Sequence, residues 1–519
     1  MAKIVIDPIT RIEGHLKVEA TVDGGEIKQA RCSGMLFRGF EKILAGRDPR
    51  DAQIITQRIC GVCNHCHTTA AALNLDAAFG IADRVPDNGR HIRNLTMGFH
   101  QLQDHILHFY HLAALDYVDV TKVASYEGAD RSLSSIKGFI SRGELAPFVP
   151  RYEGDYRLPA ELDQALVGHY VQALEMRRKG HEATAILGGK LPHACTIAPG
   201  GATEVPSVDK IAALLWRARE LRAFVEDVYL PDVLAAAGAY SDYFEIGAGC
   251  GRYLSYGLID LDGANPDLSR RKRFFSQGST GRKLEHEPLD LGAISEHVKF
   301  SWYADETTGR HPFEGETRPQ PDKAGGYSWL KAPRYRDQVF EVGPLARIAV
   351  SYAAGVPEVV QVVDSLLAHF KAGPEALFSV LGRHAARALC AKLIADKLEE
   401  WILALQPGEP AYVAHELPAE GRGVGIVDAA RGALGHWIEI ADGKIDRYQC
   451  VVPTTWNASP ADDAGRPGPI EQALIGTKVA DADNPFEIVR IVRSFDPCIA
   501  CAVHLLNHRG RELRRYQVA

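Results

Sequence analysis

Residues 58–73 read "RICGVCNHCHTTAAAL", placing Cys60, Cys63 and Cys66 with His65 and His67 inside eight residues. So dense a set of thiols and imidazoles admits three readings: a zinc knuckle, a thiol redox pair, or one half of a site completed elsewhere in the chain. The tail offers the other half. Residues 495–504, "FDPCIACAVH", repeat the arrangement with Cys498, Cys501 and His504. Each CxxC pair is followed by a histidine three or four residues on, which in a helix or turn sets two thiols and an imidazole on one side. The pairs stand 435 positions apart, Cys63 to Cys498. A structural zinc site usually joins CxxC pairs about 15–20 residues apart and closes a small unit. Four thiols drawn from opposite ends of a long chain point instead to a soft-metal site within a fold that is already stable.

The chain has 519 residues, 46% hydrophobic and 24% charged, ordinary globular values for a protein able to bury a large core. Its net charge of −7 and dispersed basic residues leave no electrostatic footprint for nucleic acid. Ten cysteines are too few for a disulfide-built scaffold. Cys32, Cys66, Cys195, Cys250, Cys390 and Cys450 show no pairing pattern and read as buried, inert thiols. The opening "MAKIVIDPITRIEG" lacks the apolar run of a signal peptide, and no uninterrupted apolar stretch is long enough to cross a bilayer.

Along the chain, "AKIVIDP", "HLKVEATV" and "EIKQARCSG" alternate as strands, with a hairpin signal at Asp23-Gly24-Gly25. Asp48 suits an N-cap, Pro49 the first helical position and Asp51 the first turn, so a helix is expected to run towards Cys60. "NGRHIRNLTMGFHQLQDHILHFYHLAALDYV" keeps helical spacing for about thirty residues, well beyond an average helix. "PAELDQALVGHYVQALEMRRKGHEATAIL", "SVDKIAALLWRARELRAFVEDVYLPDVLAAA" and "GRHAARALCAKLIADKLEEWILAL" behave alike. Between roughly residues 240 and 345 the pattern turns to Gly, Pro, aromatics and short strands. "GRGVGIVDAARGALGHWIEIADGKIDRYQCVVPTTWN" is again strand-like, with a turn at Asp442-Gly443. These features imply an α+β fold, mainly a helical core bundle of long helices with peripheral β-structure, forming a single large domain over residues 1–519.

The two cysteine segments match the RxCGxCxxxH and DPCxxCxxH signatures of the nickel–iron hydrogenase large subunit, and the chain resembles that family over most of its length. "DPITRIEGH", "MLFRGFEKIL", "RDPRDA", "QDHILHFYHLAALDYVDV", "HPFEGETRP", "YSWLKAPRY", "EVGPLAR", "ARGALGHW" and "YQCVVPTTWNASP" occur as blocks in the family's order. The resemblance implies the nickel–iron hydrogenase large-subunit fold. It also implies that Cys60 and Cys498 are terminal nickel ligands, while Cys63 and Cys501 bridge nickel to an iron carrying carbon monoxide and cyanide. Thiolates are soft donors that suit nickel. H2 is non-polar and weakly acidic, so splitting it requires a metal to take hydride and a nearby base to take the proton.

Further roles follow from the same resemblance. Glu13 would take protons from the thiolate of Cys498; standing alone, a glutamate in a strand reads as a solvated surface group. Arg431, Asp104 and Asp496 would form a charged canopy above the metals, paired carboxylates fixing a guanidinium. An ordinary surface ion pair is the plain alternative for Arg431, and Asp496 also suits an N-cap of the turn carrying Cys498. Ala430 stands where the family usually has proline, which bears on the local backbone. His67 would hydrogen-bond a bridging thiolate, that of Cys501. Glu41 and His504 would ligate a magnesium ion tying the C-terminus to the core. Cys66 and His65 match no family ligand and read as packing or surface residues. Residues 505–519, "LLNHRGRELRRYQVA", match a peptide removed by a maturation endopeptidase, an ordinary tail being the alternative.

The function implied is reversible heterolytic cleavage of H2 in the direction of uptake. A partner small subunit would hold the iron–sulfur clusters, since this chain carries no further cysteine-rich cluster motif. An H2-sensing regulatory subunit is the alternative, but such relatives carry isoleucine at the place of Val62 and glutamine at that of His67, and lack the removed tail. A respiratory relative that has lost the metal cysteines is a third. The blocks look most like membrane-associated uptake enzymes, which implies the periplasmic side of the membrane through partner subunits, with a cytochrome b as acceptor. A cytoplasmic enzyme is the alternative.

Overall fold

In the computed structural model, which describes residues 2–502 apart from 147, 150, 152 and 264, the N-terminal alternation becomes three antiparallel strands. These are Ala2–Ile6, Leu16–Asp23 and Glu26–Gly34, in that order across the sheet. Asp23 pairs with Glu26, so Gly24 and Gly25 alone make the turn, at φ 59 and 77. Two consecutive left-handed residues match the twist of the flanking strands, and glycine adopts them without a Cβ penalty.

The long periodic segments are helices. Asp87–Leu107, Ala160–Gly188, Val208–Phe224 and Val380–Leu403 pack into a bundle. Asp87–Leu107 and Val380–Leu403 are buried on nearly every side and lie at its centre. Gly180 permits a close approach between Ala160–Gly188 and Asp87–Leu107, since an added Cβ would lie 2.7 Å from the Cβ of Gln103. The expected thirty-residue helix stops being α-helical after Leu107 and continues as a π-turn, His108–Ala113, then a 3-10 turn, Ala114–Asp116. The helix expected towards Cys60 starts at Asp51, not beside Asp48. The Asp48 carboxylate still accepts the Arg50 N–H at 2.9 Å, and a 3-10 turn, Gln57–Ile59, delivers Cys60.

A second antiparallel sheet, Gly421–Ala429, Gly432–Ala441 and Lys444–Val451, carries the helix Asn64–Ala78 on its face. Gly423 and Gly425 permit this: a Cβ on either would lie 2.2 Å and 2.0 Å from the carbonyl oxygens of Asn74 and Ala70. Between residues 240 and 345 the short strands are Arg252–Asp260, Arg273–Gly281, Ile294–His297 and Ala332–Tyr335. The mixed α+β architecture with a helical centre is as expected. Among the described residues no helix is long and apolar enough to cross a membrane.

The two ends of the chain meet. Glu13 forms a parallel bridge with Cys498, its N–H bonding the Pro497 carbonyl at 3.3 Å and its carbonyl accepting the Ile499 N–H at 2.7 Å. Gly14, at φ 82, makes room, because a Cβ there would stand 2.8 Å from the Ile499 Cβ. His504 and the 505–519 segment lie outside the described residues.

Candidate metal centre

Four sulfurs converge where the N-terminus of Asn64–Ala78 faces the short helix Ile499–Ala502. Cys60 Sγ lies 3.5 Å from Cys498 Sγ, and Cys63 Sγ lies 2.8 Å from Cys501 Sγ. Cys498 Sγ is 3.1 Å from Cys501 Sγ and 3.9 Å from Cys63 Sγ. All four lie within 4.8 Å of one another, and all are buried. The shortest separation exceeds a disulfide bond of about 2.05 Å, so these are free thiols.

Their environment favours a soft cation. Burial pushes the Cys498 and Cys501 thiols well above their usual range. Contacts from the other sulfurs, that of Cys498 foremost, draw Cys60 well below it, and the N–H groups of Val62 and Cys63 point at its sulfur from 3.2 and 3.4 Å. Several thiolates at such separations, away from water, are stable only around positive charge. The donor set therefore fits a thiolate-bound metal centre.

Arg38, in a block of family resemblance but not singled out from the sequence, holds the two half-sites together. Its guanidinium donates to the Ile59 carbonyl and, at 2.5 Å, to the Ala500 carbonyl. Thr454 Oγ1 accepts the Cys498 N–H at 2.9 Å. Glu13 Oε2 accepts the Ala500 N–H at 2.8 Å and lies 3.3 Å from Cys498 Sγ. Burial first, and the negative charge of Cys60 second, raise the Glu13 carboxyl above its ordinary value.

Arg431 occupies the two-residue turn between Gly421–Ala429 and Gly432–Ala441, after Ala430, with Ala429 paired to Gly432. It is buried, which disposes of the surface ion-pair alternative. Its guanidinium donates to Asp104 Oδ2 at 3.2 Å, to Asp496 Oδ1 at 3.0 Å and to the Asp496 carbonyl at 3.0 Å. Burial alone would depress its pKa, but the charges of Asp104 and Asp496 outweigh that and hold it well above the usual value. Burial lifts Asp104 despite Arg431. A second guanidinium, Arg387, lies 3.3 Å from Asp496 Oδ2. Arg387 was not anticipated; an arginine set between small and apolar residues, "AARALCA", in Val380–Leu403 was the available signal. Asp496 sits at φ 57, and guanidiniums flank both carboxylate oxygens, so the expected N-cap gives way to the canopy.

A cavity of about 10 Å³ lies between these groups, lined by Cys63, Cys66, His67, Arg431, Thr454 and Cys501 among others. His67 Nδ1 lies 3.1 Å from His436 Nε2, a partner that the sequence did not indicate. Cys66 and His65 are fully buried, which corrects the surface option for both; His65 Nε2 lies 2.9 Å from Thr96 Oγ1. Cys195, expected to be buried, is exposed, and Cys250 is intermediate. Glu41, buried, accepts the Cys450 N–H at 3.2 Å and the Thr317 hydroxyl. Its expected co-ligand, His504, lies outside the described residues.

A family model described as nickel-dependent hydrogenase matches residues 38–504, and another, described as HoxL-like, matches residues 3–33. The chain belongs to the nickel-dependent hydrogenase family. It is 42% identical over 523 residues to the periplasmic NiFeSe hydrogenase large subunit of Desulfomicrobium baculatum, covering 97% of this chain and 95% of that one. The uptake hydrogenase large subunit of Bradyrhizobium diazoefficiens is 38% identical over 589 residues, covering 99% and 97%. Among solved structures, the reduced Ni-Fe-Se hydrogenase from D. vulgaris Hildenborough superposes with a TM-score of 0.85 at 43% identity, covering 97% of this chain and all of that one. The four clustered donors of the present chain are all cysteines.

Proposed function

We propose that the protein is the catalytic large subunit of a nickel–iron hydrogenase working in H2 uptake, with Cys60, Cys63, Cys498 and Cys501 holding the metals. The observation that carries this reading is the convergence of four buried sulfurs from opposite ends of a chain in the nickel-dependent hydrogenase family. Cys60, Cys63, Cys498 and Cys501 would hold nickel, and Cys63 and Cys501 would also hold the iron. When bound, that centre supplies the electrophile that polarises H2.

The chain's own residues handle the proton and the surrounding charge. Cys498 Sγ and Glu13 Oε2, 3.3 Å apart, form a donor–acceptor pair for a proton leaving the centre. Burial lifts the Glu13 carboxyl above its ordinary value, which suits it to take up and release a proton more readily than a solvated glutamate would. Arg431, held by Asp104 and Asp496, keeps a fixed positive charge at the cavity, where charge separation in H2 is stabilised. His67 directs a hydrogen bond to the bridging sulfur of Cys501. Glu41, beside the Cys450 backbone, with His504, holds magnesium.

Electrons pass to an iron–sulfur small subunit. Among the described residues, the four cysteines are the one group of three or more clustered metal donors, which supports clusters in a partner. The relatives' names support a periplasmic uptake enzyme. A cytochrome b as membrane acceptor and an endopeptidase removing residues 505–519 belong to the same reading on the sequence resemblance alone. The single-domain reading is supported by a core cluster that includes both Ile4 and Cys501.

Co-expression with its small subunit tests the proposal. The wild-type heterodimer is expected to contain nickel and iron and to reduce a viologen dye with H2, while Cys498→Ser and Cys501→Ser abolish the activity. Activity retained in either variant at normal nickel content refutes the ligand assignment.

A further inference from the structure

The hairpin Gly432–Ala441 and Lys444–Val451 pairs His436 with Cys450 and Ile438 with Tyr448, so His436 and Tyr448 are diagonal neighbours on one face of the sheet. The Tyr448 hydroxyl lies 2.8 Å from His436 Nδ1, and His436 Nε2 lies 3.1 Å from His67 Nδ1. All three side chains are buried. Gly425, opposite His436 on the neighbouring strand, is where the helix Asn64–Ala78 approaches closely enough for His67 to reach the sheet. His67 also lines the cavity shared by Cys63 and Cys501.

The direction of this file matters. A neutral imidazole has one N–H donor and one acceptor nitrogen, so the file can run only two ways. In the first, Tyr448 donates to His436 Nδ1, His436 Nε2–H donates to His67 Nδ1, and His67 carries its own proton on Nε2. In the second, every bond is reversed and Nε2 of His67 presents a lone pair. With Nδ1 engaged by His436, Nε2 is the nitrogen through which His67 can address the sulfurs of the cavity it lines. A lone pair there is repelled by thiolate, whereas an N–H is attracted. Burial pushes the Tyr448 phenol well above its usual value, so it retains a proton to give.

We propose that Tyr448, acting through His436, is a positioning residue that fixes His67 as its Nε2–H tautomer and so aims a hydrogen-bond donor at the bridging sulfur of Cys501. The proposal rests on the metal-centre reading above. A donor at a bridging thiolate withdraws electron density from the metals, so losing it makes the centre harder to reduce.

The test uses the holoenzyme with its small subunit, in wild type, Tyr448→Phe, His436→Leu and His436→Gln. Tyr448→Phe and His436→Leu are expected to keep their nickel and shift the midpoint potential of the nickel EPR signals to more negative values. Their kcat falls about tenfold with KM for H2 unchanged, the scale seen when a ligand's supporting hydrogen bond is removed. His436→Gln is expected to keep both potential and rate, because its amide offers an acceptor oxygen to Tyr448 and an N–H to His67 in the same order. Nitrogen-15 NMR of histidine-labelled full-length chain reads the tautomer directly: Nε2–H at His67 in wild type and in His436→Gln, a mixture in the other two, whatever their nickel content. An unshifted potential in nickel-replete Tyr448→Phe overturns the proposal, as does His436→Gln behaving like His436→Leu, or an Nδ1–H His67 in wild type. Nickel missing from the wild-type heterodimer strikes instead at the metal-centre reading, and is told apart by analysis of its metal content.

Discussion

Glu13 has a structural and a chemical contact on the same carboxylate oxygen: Oε2 takes the Ala500 N–H and stands beside Cys498 Sγ. The two contributions separate in Glu13→Gln. The amide oxygen still accepts from Ala500, so the loop keeps its shape, but an amide cannot take up a proton at working pH. H2 oxidation is expected to fall by roughly a hundredfold or more, the scale of a lost general acid–base group, with nickel and iron content unchanged. Dye reduction at the wild-type rate in that variant would assign the proton to another group. At this scale the donors were legible beforehand, because a thiol or a carboxylate declares its chemistry by its type. Arg38, Arg387, Thr454 and His436 were not, since an arginine, threonine or histidine becomes significant only through the atom it touches.

Among the elements, the short helix Pro469–Leu474 shows how a local cap acquires a long-range consequence. Glu471 accepts the Gly468 N–H at 3.0 Å, reaching back to the helix start, while its other oxygen takes the Cys32 N–H at 2.9 Å and the Tyr327 hydroxyl at 3.0 Å. Burial raises this carboxyl from 4.5 to about 7. Between those values the folded chain holds a proton that the unfolded chain has released, so stability falls as pH rises through the window and the loss is complete above it. A shift of this size corresponds to about 3 kcal/mol. Urea unfolding midpoints of the wild type are therefore expected to decline from pH 4.5 to 7, and those of Glu471→Gln to run flatter across it. Equal slopes would place the titration elsewhere. Strand alternation and helical spacing announced the hairpins and the bundle in advance. The π-turn after Leu107 went unannounced, because apolar spacing barely changes where the hydrogen-bond pattern does.

For the molecule as a whole, the decisive event is that the N-terminal segment around Glu13 and the segment around Cys498 become neighbours. If residues 505–519 are removed after metal insertion, the active heterodimer's large subunit is expected to be lighter by that peptide on mass spectrometry. An active protein retaining the peptide would exclude processing. Local chemistry and periodicity alone settled which donors are present, which segments coil or extend, and to which family the blocks are akin, since these depend on side-chain type and near-neighbour spacing. How the sulfurs face one another, that Arg38 reaches across to Ala500, and which nitrogen of His67 meets His436 were decided only by the folded chain. Those contacts join residues hundreds of positions apart, and their geometry is set by how helix and sheet pack against each other, of which no local stretch of sequence holds a record.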